Sequence, residues 1–250
     1  MKKILVLFIA TFSQFIVAQE VDYVKLSTEF IEAVKNKTNK VPSIITALEK
    51  ADEKELIKQL DNDEKKKTFF INVYNAFTNN ALTKNPEQYK DRNKFFKSEQ
   101  FTIAGYKLSL DIIEHGFLRK SSIKLSLGKL KKVFPSKLER KFRVKKVDYR
   151  IHFALNCGAK SCPPVAVFKL ETIDKQLENN KIDYLKKDTK YDKAKNELYV
   201  TSLMSWFRGD FGNLKGVEKI IKELKIIPED ASPTLKFNDY DWTIDTDNFK

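Results

Sequence analysis

Four short stretches carry side chains whose types and spacing could do chemistry. The richest is RIHFALNCGAKSCPP, Arg150 to Pro164, which holds Arg150, His152, Asn156, Cys157 and Cys162. A thiol near an imidazole can be deprotonated and made nucleophilic. An amide such as Asn156 can orient the imidazole or bind an oxyanion, and Arg150 would hold an anionic substrate. Acyl or amide transfer is the natural reaction class. Read as a strand, the segment sends Ile151, Phe153 and Leu155 one way and Arg150, His152, Ala154 and Asn156 the other. Cys157 then follows the apolar parity and meets His152 only where the chain bends. Two other fates compete for it: a bridge to Cys162, or simple burial as a small apolar residue. In an oxidising compartment an even cysteine count suggests one disulfide, closing a short loop worth about 2 kcal/mol.

The second stretch is an asparagine stripe. Asn72, Asn75 and Asn79 recur at helical spacing within an otherwise apolar run. Asn is a mediocre helix former, so three on one stripe face something polar. Buried amides that bond neighbouring loops are the favoured explanation, and a catalytic role for Asn72 with substrate contacts from Asn75 is the alternative. The third stretch is Glu114-His115 with Arg119 one turn on, a candidate substrate-binding group. With His152, Cys157 and Cys162 it supplies soft ligands, but the H-x4-C-x4-C spacing matches no standard closed zinc site. No metal and no cofactor is expected. The fourth is SWFRGDFG, Ser205 to Gly212, where Trp206, Phe207 and Phe211 line a cleft or pack as core beside an Arg208–Asp210 pair.

The elements that must position these groups are mostly helical. Polar helices occupy roughly residues 22 to 60, and residues 65 to 84 form the best helix, with a wide buried face. Pro86 ends it. Phe101 to Leu108 reads as a hairpin turning at Ala104-Gly105, and Ser109 caps a short helix, Leu110 to Arg119. Residues 120 to 146 are a basic connection, eleven Lys or Arg against the single acid Glu139, read as a solvated loop or helix. Asp148 to Cys157 is the clearest strand. A helix at Leu170 to Leu185, a strand at Leu198 to Val200 and a helix at Val217 to Leu224 follow. The fold class is α+β, a helix-rich single domain with a small sheet and an N-terminal helical prefix: 1–18 signal peptide, 19–62 prefix, 63–250 main domain.

The start has a signal-peptide layout: Lys2 and Lys3, an apolar run through Val17, and Ala18 before Gln19. It is too short to span a bilayer comfortably, which takes roughly 20 residues, and no later stretch is apolar enough to cross. The expected location is beyond the cytoplasmic membrane, periplasmic or secreted. The net charge is +13, and +11 once Lys2 and Lys3 are removed. The lysines are scattered and no nucleic-acid-binding motif accompanies them, so a solvated basic surface is favoured and nucleic acid is not an expected partner. The expected partner is a small-molecule or envelope ligand. Oligomeric state is left open.

FFINVYNAFTNNAL (Phe69 to Leu82), LSLDIIEHGFLR (Leu108 to Arg119), VDYRIHFALNCGAKSCPPV (Val147 to Val165) and YDWTID (Tyr240 to Asp245) together resemble the domain of unknown function 547 family. Tyr149 stands where the family pattern has proline, and Asp245 where it has asparagine. The resemblance implies that the Cys162 position also admits serine while Cys157 is more regular, which points Cys157 towards a specific role. It implies no established activity. Three readings follow: a thiol-dependent hydrolase or acyl/amide transferase with Cys157 as nucleophile, His152 as base and Asn72 orienting; a non-catalytic ligand- or protein-binding module; and a structural protein whose polar segments only lock the fold. The first two require the asparagine helix, the Glu-His helix and the His-to-Cys segment to converge on one cleft.

Overall fold

A centrally placed helix organises the structure, a computed structural model that describes residues 21–250. The expected signal peptide lies outside the described residues. The helices are α1 (Tyr23–Lys35), α2 (Val41–Glu49), α3 (Glu53–Gln59), α4 (Asp63–Lys84), α5 (Arg92–Lys97), α6 (Lys137–Phe142), α7 (Ile173–Asp188), α8 (Ser202–Trp206) and α9 (Asn213–Glu223). The strands are β1 (Phe101–Ile103), β2 (Tyr106–Leu108), β3 (Lys190–Asp192), β4 (Glu197–Val200) and β5 (Thr234–Phe237). β1 and β2 form the expected hairpin. β4 pairs antiparallel with β3 and parallel with β5, so the described residues hold two small sheets. The fold is α+β and helix-rich. Among the described residues no helix is long and apolar enough to cross a membrane.

α4 starts on an Asn62 cap, whose side chain accepts from the Lys65 amide. Every residue from Lys66 to Thr78 is buried, so the helix is enclosed on all sides rather than along one face. α1 packs beside it, with Phe30 edge-on to Phe77 at 4.9 Å. One large apolar core surrounds α4. A second forms around Phe153, Val200, Met204, Phe211 and Val217.

Full enclosure explains the asparagine stripe, because buried polar groups must be bonded. Asn72 donates to the Phe168 carbonyl at 2.8 Å and accepts from the Phe168 amide at 3.0 Å. Asn75 donates to the Ala154 carbonyl at 2.9 Å and accepts from the Asn156 amide at 2.9 Å. Asn79 donates to the Thr246 carbonyl. Each of the first two amides does what a neighbouring strand would do for the loop it holds. Asn72→Leu strips both partners from Phe168 and is expected to destabilise by about 2–4 kcal/mol in urea unfolding. A loss under about 1 kcal/mol would contradict this role.

The expected strand at Asp148 to Cys157 is corrected. Tyr149–Phe153 is a 3-10 helix, begun by the Asp148 carboxylate accepting from the Arg150 amide at 3.1 Å. Ile151, His152, Phe153 and Ala154 are all buried, so the alternating pattern marks no exposed face, and the Asn75 amide takes the place of a strand partner.

Candidate functional site

The helix after Ser109 is π-helical from Ile112 to Leu118. Ser109 caps it, its hydroxyl accepting from the Ile112 amide at 3.2 Å, and the Arg119 amide reaches back five residues to the Glu114 carbonyl at 2.8 Å. Such wide turns frequently mark functional sites. At Gly116 a Cβ would stand 2.6 Å from Ile112 Cδ1, a side-chain end that can turn aside, and 3.2 Å from the buried Glu139, so the fit there is tight. This segment presents Glu114 and His115 to a cavity of about 340 Å³. His152 and Cys157 come to the same cavity from the 3-10 helix and the loop after it, while Trp206, Phe207, Tyr240 and Trp242 form much of its wall. The bend in the chain thus removes the parity objection, and the Glu-His and His-to-Cys segments do converge.

Behind the cavity lies a buried ionic network. Arg119 is fully buried; its Nε donates to Asp210 Oδ2 at 2.6 Å and its Nη1 to His115 Nδ1 at 2.8 Å. His152 Nε2 stands 3.0 Å from the same Asp210 oxygen, and its ring stacks on Phe207 at 4.0 Å. Burial pushes the His152 pKa down, and the Arg119 charge adds to that against the pull of Asp210. The neutral ring therefore donates through Nε2 to the carboxylate. Burial disfavours the Asp210 charge, but the His152 hydrogen bond and the Arg119 guanidinium outweigh it and hold the carboxyl at about 2. Burial, then Arg119, push His115 down to about 3. Since Nδ1 accepts from Arg119, the proton of neutral His115 sits on Nε2, 3.8 Å from Asp111.

His115 ionises near 6.5 in an unfolded chain, so between pH 6.5 and 3 the unfolded state binds the extra proton. Stability present above that window is lost as pH falls through it. From pH 7 to 4.5 His115 alone should cost about 3 kcal/mol. Urea unfolding at both pH values checks this: the loss should shrink by about that amount in His115→Gln, which keeps an acceptor for Arg119. Equal losses in the two proteins would contradict it.

The two thiols are unbonded, so of the fates left open for Cys157 the bridge to Cys162 is not the one found. The Gly158 amide donates to Asn156 Oδ1 at 2.8 Å, and the Asn156 amide group donates to the Pro163 carbonyl, folding the loop back on itself. The Cys157 amide donates to Cys162 Sγ at 3.0 Å, and the Tyr240 hydroxyl donates to the same sulfur at 3.2 Å. Tyr240 Oη is also 3.7 Å from Cys157 Sγ. Burial raises the Cys162 pKa well above the thiol range. The hydrogen bond from Cys162, helped by Tyr240 and Tyr89, lowers that of Cys157 despite its burial. Proton donors thus converge on Cys157, the thiol that faces the cavity.

The other expected site residues lie elsewhere. Asn72, Asn75 and Asn156 bond buried loops, as described. Arg150 is engaged by Asp148 at 2.8 Å and Asp174 at 2.6 Å. Arg119 sits behind the cavity wall and holds His115. Arg208 bonds Ser205 rather than Asp210; Asp210 belongs to Arg119 and His152. Among the described residues no group of three or more His, Cys, Asp or Glu is arranged to hold a metal. Asp111, which takes both oxygens to Lys124 at 2.8 and 2.9 Å, and Lys124 itself are lining residues that the spacing did not single out. Their signal was weak: each is a single charge, and nothing in the spacing ties the two segments together.

No curated protein and no solved structure matches the chain significantly. The family described as "Protein of unknown function, DUF547" matches residues 57–185. The matched stretch contains Glu114, His115, Arg119, His152 and both cysteines. It ends before Asp210 and the aromatic wall, and so before the YDWTID segment. With more than half of its length matched, the chain belongs to the DUF547 family.

Proposed function

We propose that this protein is a thiol-dependent hydrolase or acyl/amide transferase of the cell envelope, with Cys157 as its nucleophile. One observation carries this reading: the thiol with the lowered pKa is the one that opens onto a cavity holding two neutral imidazoles. Cavities of this size, mostly apolar with a few convergent polar groups, are the usual form of small-molecule sites. The aromatic and leucine wall would take an acyl or aromatic group. The carbonyl carbon would then lie against Cys157 Sγ. Attack of Cys157 Sγ forms the thioester and breaks the bond to the alcohol or amine. The thiol's own proton leaves with that group, relayed by the Tyr240 hydroxyl 3.7 Å from the sulfur. Water or a second amine then takes the acyl group and returns a proton to the sulfur. The envelope location follows from the signal-peptide layout of residues 1–18.

A second reading, a non-catalytic binding module, is favoured by one specific feature. His152 is committed to Asp210 and His115 to Arg119, and Cys157 is bonded through Cys162 and Tyr240 rather than through an imidazole. Both tryptophans of the chain, Trp206 and Trp242, line the cavity, so fluorescence reports occupancy directly. Titration with decanol should give a saturable change in wild type and in Cys157→Ser alike. Hydrolysis of a decanoyl thioester should fall about 1,000-fold in Cys157→Ser. Saturable binding with no Cys157-dependent turnover would select the binding module. No saturable response would remove the cavity as a ligand site.

A further inference from the structure

Five of the seven large apolar side chains exposed among the described residues fall between Ile123 and Phe134. Leu125 and Phe134 are each 91 % exposed and Val133 81 %. The stretch reads IKLSLGKLKKVF and contains no acid. Chance exposure would scatter such residues singly; a cluster at one place marks an interaction site. The cluster is not the product of a loose loop. Ser122 bridges Lys131, the Ile123 amide donates to the Leu130 carbonyl at 2.9 Å, and the Lys132 amide to the Ser121 carbonyl at 2.8 Å. The Gly209 amide donates to the Leu127 carbonyl at 2.7 Å, and Gly209 lies so close to Gly128 that a Cβ would stand 2.6 Å from its carbonyl carbon. The frame is tied down at both its base and its flank, and it holds the apolar tips out into solvent.

Charge decides what meets those tips. Exposed Lys129 and Lys137 flank them and have no carboxylate partner among the described residues. A second copy of the chain would bring the same positive charge and be repelled. Protruding apolar tips among lysines fit the interface of an anionic bilayer, where the tips enter the acyl boundary and the lysines meet the headgroups. Leu125 and Leu127 also line the Cys157 cavity, so the surface continues into its mouth. We propose that residues 123–134 dock the protein on anionic lipid. The consequence that the cavity receives its acyl substrate from the membrane rests on the function proposed above; the docking does not.

Flotation with phosphatidylcholine vesicles, with and without phosphatidylglycerol, tests this on the purified chain and its variants, so that any contribution from residues 4–17 is common to all. Wild type should bind the anionic vesicles at least about tenfold more tightly than the neutral ones. Leu130→Ser/Val133→Ser/Phe134→Ser and Lys129→Glu/Lys137→Glu, none of them at a residue lining the cavity, should each weaken that binding at least about tenfold, while keeping the decanol response of the cavity tryptophans. Failure of wild type to float, or equal binding by the triple variant, would overturn the docking. So would a doubled mass in sedimentation that the triple variant abolishes without any vesicle binding, since the face would then belong to a second copy. Vesicle binding without a decanol response would leave the docking standing and remove the cavity.

Discussion

Asp210→Ala should lower the unfolding free energy by about 3–5 kcal/mol. Asp210 is the carboxylate that Arg119 reaches at 2.6 Å, and Arg119 is fully buried. Losing the carboxylate leaves a guanidinium in the core with only the neutral His115 nitrogen and the Phe207 face, 4.5 Å from its centre, as partners. Its Nη2 already finds no hydrogen-bond partner, so no spare bond softens the loss. His152 loses its acceptor in the same step. Asp210→Asn keeps the shape without the charge and should fall between wild type and Asp210→Ala. Arg119→Met with Asp210→Leu should cost less than the sum of the single changes, because the stranded charge goes with its partner. Urea unfolding measures these variants, the single changes Arg119→Met and Asp210→Leu included. An Asp210→Ala variant within about 1 kcal/mol of wild type would show that the network does not hold the site together.

The second large effect is chemical. Near neutral pH iodoacetamide should modify Cys157 about 100-fold faster than Cys162, since the thiolate is the nucleophile and access is needed as well. Cys157 is half-buried and faces the cavity, whereas Cys162 is buried and its proton is held. The rate profile for Cys157 should inflect below the usual thiol value near 8.5. Tyr240→Phe removes a donor and should move the inflection upward, and Cys162→Ala should move it further, because the Cys162 bond is the largest cause. Equal labelling of the two cysteines, or an inflection at the ordinary value in wild type, would contradict the pairing described here.

Much of this was legible in the residues. The alternation of Phe101 to Leu108 around Ala104-Gly105 is a hairpin, and Ser109 caps the following helix, because turn and cap chemistry is local. The Asn72 and Asn75 amides could be assigned to loop backbones from their setting in an apolar helix, although which loops they hold depends on long-range folding. The segment from Asp148 to Cys157 misled for a physical reason. Alternation signals a strand only when one face is exposed, and here Ile151, His152 and Phe153 are enclosed together. Asp210 was paired in expectation with its neighbour Arg208, yet its partners are Arg119 and His152, 91 and 58 residues away. No local rule connects such positions. The lysines of residues 120–146 hid the exposed Leu125, Val133 and Phe134, because composition cannot say which side chains a rigid loop holds outward.

The most direct test of the central claim is the location of the acyl group after brief exposure to a decanoyl p-nitrophenyl ester. Peptide mass analysis should place one acyl group on Cys157, formed with a burst of nitrophenol and blocked by decanol. An acyl group on Cys162 or on surface lysines, or none at all while Cys157 is free and the cavity binds decanol, would contradict the assignment of Cys157 as nucleophile.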